Sequence, residues 1–330
     1  FMAAVLANGG GFYHPFAYVA EAMRMGLTVR PPDINASEER TTGRGREVRI
    51  GFQFVKGLTA SAVQKIAECR APSAKCLKDP IGNRQSPIAN PYTSLPDLAA
   101  RTGLTNDDLR LLIKVGALDS IAHGWTRPMM LWWVDGRERG TGERENGRTG
   151  PELSLSSPSP DKERGTGGEG GVPALREYTI ERKRREEYEL LDFTTDTHPI
   201  RLYADRLQRF RLCRSTELDR HVGKSVLLAG MLTTSKPVHT IKDEPMEFAT
   251  FDDGDGLIET VLFPDLYRER GHVLFDQGPF IFRGKVEQEF GAVTVTITQL
   301  DRLERMLDRV ERTDLRSSTW PSSREARRDR

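Results

Sequence analysis

Cysteine is scarce in this 330-residue chain, which has only Cys69, Cys76 and Cys213. Three cannot build a disulfide framework, and an odd count suits a reducing, cytoplasmic setting. No histidine stands near enough in sequence to Cys69 and Cys76 to complete a zinc site, so both read as ordinary thiols. Long apolar runs are missing too. None approaches the ~20 residues of a membrane span, and the opening Phe1–Ala7 lacks the basic leader of a signal peptide. Charge of one sign is also absent. With 49 Lys+Arg against 48 Asp+Glu, overall basicity offers no case for nucleic acid, and local charge has to make it. Only 37% of residues are hydrophobic, while 30 Gly and 19 Pro imply much loop, which argues against one large enzyme core. There is no Gly-x-x-x-x-Gly-Lys-Ser/Thr phosphate loop and no Gly-x-Ser-x-Gly nucleophile elbow. His198, before Pro199, reads as structural. Asp252, Asp253 and Asp255 crowd a glycine-rich turn, where Asp serves the local backbone. No catalytic residue, metal site or cofactor is assigned to this chain.

What is present divides the chain. Residues 136–171 contain ten Gly, with Leu153 and Leu155 as their only large apolar side chains. Such a stretch buries too little surface to offset its ordering entropy and reads as a disordered linker. Before it, helical spacing appears in Phe16–Met25, around Ala62, Val63 and Ile66, in Leu95–Arg101 and in Asn106–Val115. After it, a charged helix is predicted over Arg176–Leu191, and then the period changes to two. Val226–Leu232, Met246–Phe251, Leu257–Phe263, Phe280–Val286 and Val293–Ile297 are five candidate strands. A helical stretch, Asp265–Val273, falls between the third and fourth. That order of elements predicts an OB-fold barrel. The fold class is therefore α+β multidomain: a mainly helical N-terminal part with a helix-hairpin-helix, a disordered linker, and a five-stranded OB-fold β-barrel.

Two segments point to nucleic acid. Val55-Lys56-Gly57-Leu58-Thr59, followed by the helix through Ile66, resembles half of a helix-hairpin-helix, with Thr59 where a second glycine is usual. A glycine hairpin lets backbone approach a phosphate, and the next helix offers its amides and positive dipole end. Residues 44–78 carry eight Lys/Arg against Glu47 and Glu68, a net of +6. Lys56, Gly57, Thr59, Lys65 and Arg49 are the candidate contacts to duplex phosphates; a solvated basic helix pair is the plainer alternative. A second hairpin, Lys114-Val115-Gly116-Ala117-Leu118, reads as helix capping. In the barrel, Lys236, His239 and Lys242 are expected in the loop joining strands one and two, and Phe290 in the loop joining four and five. Phe248 and Phe251 have opposite parity on strand two, so at most one faces a ligand. Single-strand contact through Lys236, His239, Lys242, Phe248, Arg283 and Lys285 is expected from stacking and phosphate neutralisation. Against it, residues 222–302 hold 8 Lys/Arg and 13 Asp/Glu, a net of −5.

These residues carry a resemblance. Phe12-Tyr13-x-Pro15, Tyr18-Val19-x-Glu21-Ala22 and Pro31-Pro32-Asp33-Ile34-Asn35 are similar to the distal fingers of the bacterial DNA polymerase III alpha subunit family. Ile50-Gly51-Phe52 with Val55-Lys56-Gly57-Leu58, Ala62-Val63 and Ile66 resembles its helix-hairpin-helix segment. Thr93-Ser94-Leu95-x-Asp97-Leu98 and Leu112-Ile113-Lys114-x-Gly116-Ala117-Leu118-Asp119 continue in family order. Tyr188-Glu189-Leu190-Leu191 and His198-Pro199 look like the joint before its OB domain. Met246-x-Phe248, Asp252-Asp253, Gly256-Leu257-Ile258-Glu259, Leu262-Phe263-Pro264 and Arg283-Gly284-Lys285-Val286 match that domain.

The resemblance implies the DNA-handling C-terminal portion of a DNA-directed DNA polymerase, a nucleotidyltransferase of DNA replication or repair, with the error-prone branch favoured by the short end after the barrel. It divides the chain into distal fingers (1–49), helix-hairpin-helix region (50–135), linker (136–171), connecting helices (172–215), OB domain (216–303) and charged tail (304–330). The palm and its magnesium ions would precede residue 1, so the chain reads as a fragment, inactive alone. Its expected partners are DNA and the remaining polymerase domains. No Gln-x-x-Leu-Phe-like string marks a sliding-clamp contact, and no membrane is involved. A stand-alone OB-fold nucleic-acid-binding protein and a protein-interaction scaffold in DNA repair are the rival readings.

Overall fold

The computed structural model describes residues 1–9, 11–70, 90–142, 172–275 and 278–312. It divides into two compact units, one of Phe1–Gly9 with Ala22–Asp196, the other of Gly10–Glu21 with Thr197–Arg330. Helix α1 is Met2–Ala7 and α2 is Pro15–Arg24, whose residues are shared between the units. Among the described residues, no helix is long and apolar enough to cross a membrane.

In the first unit the end of α2 is set by Gly26, at φ +74°. Its N–H donates to the Met23 carbonyl and that of Leu27 to Ala22, a capping pattern that only a left-handed residue permits. Three short strands follow: β1 (Thr28–Arg30), β2 (Thr42–Arg44) and β3 (Glu47–Arg49). They form a sheet in the order β1-β3-β2, with β1 parallel and β2 antiparallel to β3. Among the described residues the α-helices that follow are α3 (Ala60–Arg70), α4 (Leu95–Thr102), α5 (Asn106–Lys114), α6 (Arg127–Gly142) and α7 (Ile180–Leu191). Ser94 caps α4 by accepting the Asp97 N–H, and Thr105 with Asp108 forms a reciprocal box at the start of α5. The stripe predicted for α5 is the buried one: Leu109, Leu112 and Ile113 are inaccessible to solvent. Helix α6 runs through 136–142, so the linker assigned from 136 begins as helix. Its apolar face (Met129, Met130, Val134) carries the helix past the point where composition turns glycine-rich. Residues 71–89, which include Cys76, and 143–171 lie outside the described residues.

The second unit holds α8 (Ala204–Leu207), β4 (Ser225–His239), β5 (Pro245–Asp252), β6 (Leu257–Leu262), α9 (Pro264–Arg270), β7 (Phe280–Glu289), β8 (Ala292–Arg302) and α10 (Leu303–Arg312). The five strands close into a barrel in the order β4-β5-β6-β8-β7. Every pairing is antiparallel except β6 with β8. This is the predicted OB arrangement, with α9 between the third and fourth strands. Phe251, Phe280, Phe282, Val286, Val295 and Ile297 fill the barrel, each at most 3% exposed. Outside it, Leu303, Met306 and Leu307 of α10 pack with Phe210, Leu227 and Ile281. The tail expected from residue 304 thus starts as an amphipathic helix that covers apolar barrel surface; residues 313–330 lie outside the described residues.

Candidate nucleic-acid interface

The hairpin begins after one turn of 3-10 helix, Phe52–Phe54, which replaces the first helix of the motif. Val55 to Leu58 form a turn closed by the Leu58 N–H on the Val55 carbonyl. Gly57 sits at its third position with φ +83°, while Lys56 stays at negative φ, so the turn is type II. A Cβ on Gly57 would also approach Leu111 Cδ1 to 3.2 Å. Thr59, standing where a second glycine was expected, is the cap of α3. Its hydroxyl accepts the Ala62 N–H at 3.1 Å and its carbonyl accepts the Val63 N–H. Among the described residues the amides of Gly57, Ala60 and Ser61 have no protein acceptor, and all three residues are exposed. Outward amides at the positive end of an eleven-residue helix fit an anion.

The cations divide into engaged and open ones. Lys65 is exposed on α3 and has no carboxylate partner among the described residues. Lys56 is ion-paired with Asp192 at the end of α7, and its N–H donates to the Leu190 carbonyl. Arg49 is half-buried, with Nη1 donating to the Pro31 carbonyl at 3.1 Å and Nη2 3.4 Å from Glu47. The second hairpin is spent internally. Gly116, at φ +83°, donates to Ile113 and Ala117 donates to Leu112, which caps α5, and Arg127 clamps the Lys114 carbonyl.

Helix α7 supports the first hairpin, and one of its carboxyls titrates unusually. Burial pushes Glu187 up to about 7; the Thr195 hydroxyl, 2.6 Å away, opposes the shift and the charge of Asp196 adds to it. The folded unit therefore holds this proton more tightly than the unfolded chain, where a carboxyl of ordinary value 4.5 releases it. Stability from this group is complete below about 4.5 and declines as pH rises towards about 7, by about 1–3 kcal/mol. Urea denaturation of wild type and Glu187→Gln at pH 5 and pH 8 should show a smaller drop in the variant. Equal drops would remove Glu187 from the account.

In the barrel, β4 continues to His239, so Lys236 and His239 lie on a strand and not in the first loop. The apolar pattern ends at Leu232, short of the strand's own end. The backbone ladder with β5 resumes after a bulge between Leu232 and Thr234, and needs no apolar side chains. Only Lys242 lies in the connecting turn, 240–244. Register places Lys236 beside Phe248, Phe248 beside Val261, Val261 beside Thr296, and Thr296 beside Lys285, one lateral band on the outside of the barrel. Phe248 is 47% exposed on that band while Phe251 points into the core, so parity separated them correctly. Lys285 is 3.0 Å from Glu287. Arg283, half-buried, lies opposite Leu227 and Gln299, two residues along from the band. Phe290 and Gly291, at φ +50° and +84°, make a type I′ turn that leaves Phe290 fully exposed between β7 and β8.

The acidic turn is structural. Asp252 accepts from Gly254, Asp253 from Asp255, Gly256 and Ser215, and Asp255 pairs with Arg201. His198 accepts the Ile200 N–H through Nδ1 and stands 3.4 Å from Asp252 through Nε2. Among the described residues no group of three or more His, Cys, Asp or Glu could hold a metal ion.

A glycine hairpin with open amides, followed by a helix, defines a helix-hairpin-helix module, and a family described as the helix-hairpin-helix motif matches residues 26–82. The chain is 27% identical, over 92% of its length, to an error-prone DNA polymerase of Symbiobacterium thermophilum, of which it covers 29%. It is 26% identical, again over 92% of its length, to an error-prone DNA polymerase of Mycobacterium tuberculosis, covering 24%. Against that of Rhodopirellula baltica the figures are 24% identity, 89% and 23%. The chain is thus similar, over about nine-tenths of its length, to error-prone DNA polymerases. It spans less than a third of the length of these curated relatives. Two crystal structures of asparaginyl-tRNA synthetase from Pyrococcus horikoshii overlap 28% of the chain at 20% identity, with TM-scores of 0.23 and 0.24, too little to argue from.

Proposed function

We propose that this chain is the DNA-binding C-terminal portion of a polymerase III alpha-like, error-prone DNA-directed DNA polymerase that serves replication or translesion repair. The observation that carries the reading is the hairpin, whose exposed amides at Gly57, Ala60 and Ser61 open outward on a chain related to such polymerases. In this reading the amides and Lys65 take duplex phosphates, Thr59 holds the helix end in shape, and Lys56 exchanges Asp192 for a phosphate. The barrel takes single-stranded template along the band around Phe248, with Lys236 and Lys285 on backbone charge and Lys242, His239 and Arg283 at its margins. Nucleotidyl transfer needs metal ions held by carboxylates. We assign that chemistry to a palm in the rest of the polymerase, and no catalytic step to this chain.

Binding of the full chain to a labelled duplex across a salt series tests the hairpin. Lys65→Gln is expected to weaken binding and lower the salt slope by about 0.9, the value of one phosphate contact. Asp192→Asn releases Lys56 and is expected to tighten binding about 2–5-fold, the scale of one exposed ion pair. A wild-type chain without salt-dependent duplex binding, or a Lys65→Gln chain with an unchanged slope, would overturn the reading.

A further inference from the structure

The small sheet of the first unit has one face that the hairpin does not use. Register sets Thr28, Glu47 and Arg44 in one row and Arg30, Arg49 and Thr42 in the next. The alternate positions face inward: Val29 and Val48 are buried, and Gly43 lies against Ala3 of α1. These six side chains therefore share the outer face, with Thr28, Arg30 and Arg44 exposed and the other three half-buried. Five of the six carry hydrogen-bond donors, and the only carboxylate is Glu47. It draws in two neighbours, with Arg30 Nε at 3.2 Å and Arg49 Nη2 at 3.4 Å. Among the described residues, the rest of the Arg30 guanidinium and all of Arg44 have no acceptor. Three arginines against one glutamate leave the face at +2.

We propose that this face is a second phosphate-binding surface, seating the sugar–phosphate backbone of the duplex that the hairpin holds; the inference rests on the hairpin reading above. Guanidinium forks and threonine hydroxyls are the donors that phosphate oxygens accept from most readily. Two inter-strand spacings make the face about 10 Å wide, a length of duplex axis that carries about three phosphates of one strand. Arg49 and Gly57 are eight residues apart, so the two surfaces lie within about 29 Å, less than one turn of duplex. One DNA segment can therefore meet both.

The test uses the full chain and a labelled duplex of about 24 base pairs, across a salt series. Arg30→Gln with Arg44→Gln is expected to lower the salt slope by about 1.8 and weaken binding about 5–20-fold near 0.1 M salt, with an unchanged melting temperature. Glu47→Gln removes the only negative charge and is expected to tighten binding about 2–5-fold, a gain that misfolding cannot produce. A double variant with wild-type affinity and slope overturns the sheet surface while leaving a hairpin that still responds to Lys65→Gln. A Glu47→Gln chain that binds more weakly than wild type also overturns it. Absence of duplex binding by the wild type overturns both surfaces.

Discussion

Gly51→Ala is expected to destabilise the hairpin unit by about 3–5 kcal/mol and to abolish duplex binding with it. Gly51 has an ordinary φ of −84°, so the cost is steric and does not come from backbone strain. A Cβ there would strike the main chain of the preceding loop: the Arg40 carbonyl carbon, Thr41 N at 2.5 Å and Glu39 O at 2.6 Å. Backbone cannot swing away as a side-chain tip can. The same approach carries hydrogen bonds from Gly51 N–H to Thr41 Oγ1, Phe52 N–H to Glu38 and Gln53 N–H to Glu39. Forcing the segments apart weakens all three and displaces the 3-10 turn that leads into Gly57. Urea denaturation followed by tryptophan fluorescence measures the loss, and a variant within about 1 kcal/mol of wild type would contradict the packing described.

Phe251→Ala is expected to cost the barrel about 3–5 kcal/mol. Its ring is fully buried, 4.5 Å from that of Phe282 and edge-on to Phe280 at 5.7 Å, in the middle of the core. Phe248→Ala, three residues earlier on the outer face, is expected to cost less than about 1 kcal/mol, because half of that ring is already in water. Calorimetric melting of the two variants checks the contrast. Similar losses in both would mean that the band around Phe248 is covered and not open to a ligand.

The legible parts of this fold are those whose signal is local. Gly26 ends α2 where it stands, Ser94 and Thr105 begin α4 and α5, and the apolar pattern marks at least part of each barrel strand. What stayed hidden depends on partners distant in sequence or on pairing that ignores side chains. Three-residue strands are too short to show a period, so nothing in the spacing announces the β1-β3-β2 sheet. The outer half of β4 is polar and contains Pro237, and only its ladder with β5 makes it a strand. In the candidate site, the Gly57 hairpin and the helix that follows it were readable; the capping role of Thr59 was not. The Asp192 partner of Lys56 was not, because the two lie 136 residues apart. Nor was the shared band of Lys236, Phe248 and Lys285, which is a property of register and not of any single strand.

The length of β4 bears on self-association. Only Ser225–Gly230 pairs with β7, so from Met231 onward one edge of β4 has no strand beside it among the described residues. A bare edge is a template on which a second copy can add a strand. This one is blunted along its length. The Thr233 carbonyl accepts the His14 N–H, Pro237 has no N–H to offer, and Lys236 would bring its charge into any added strand. Replacing Lys236 with an apolar residue would remove one of these guards and is expected to open the edge to aggregation.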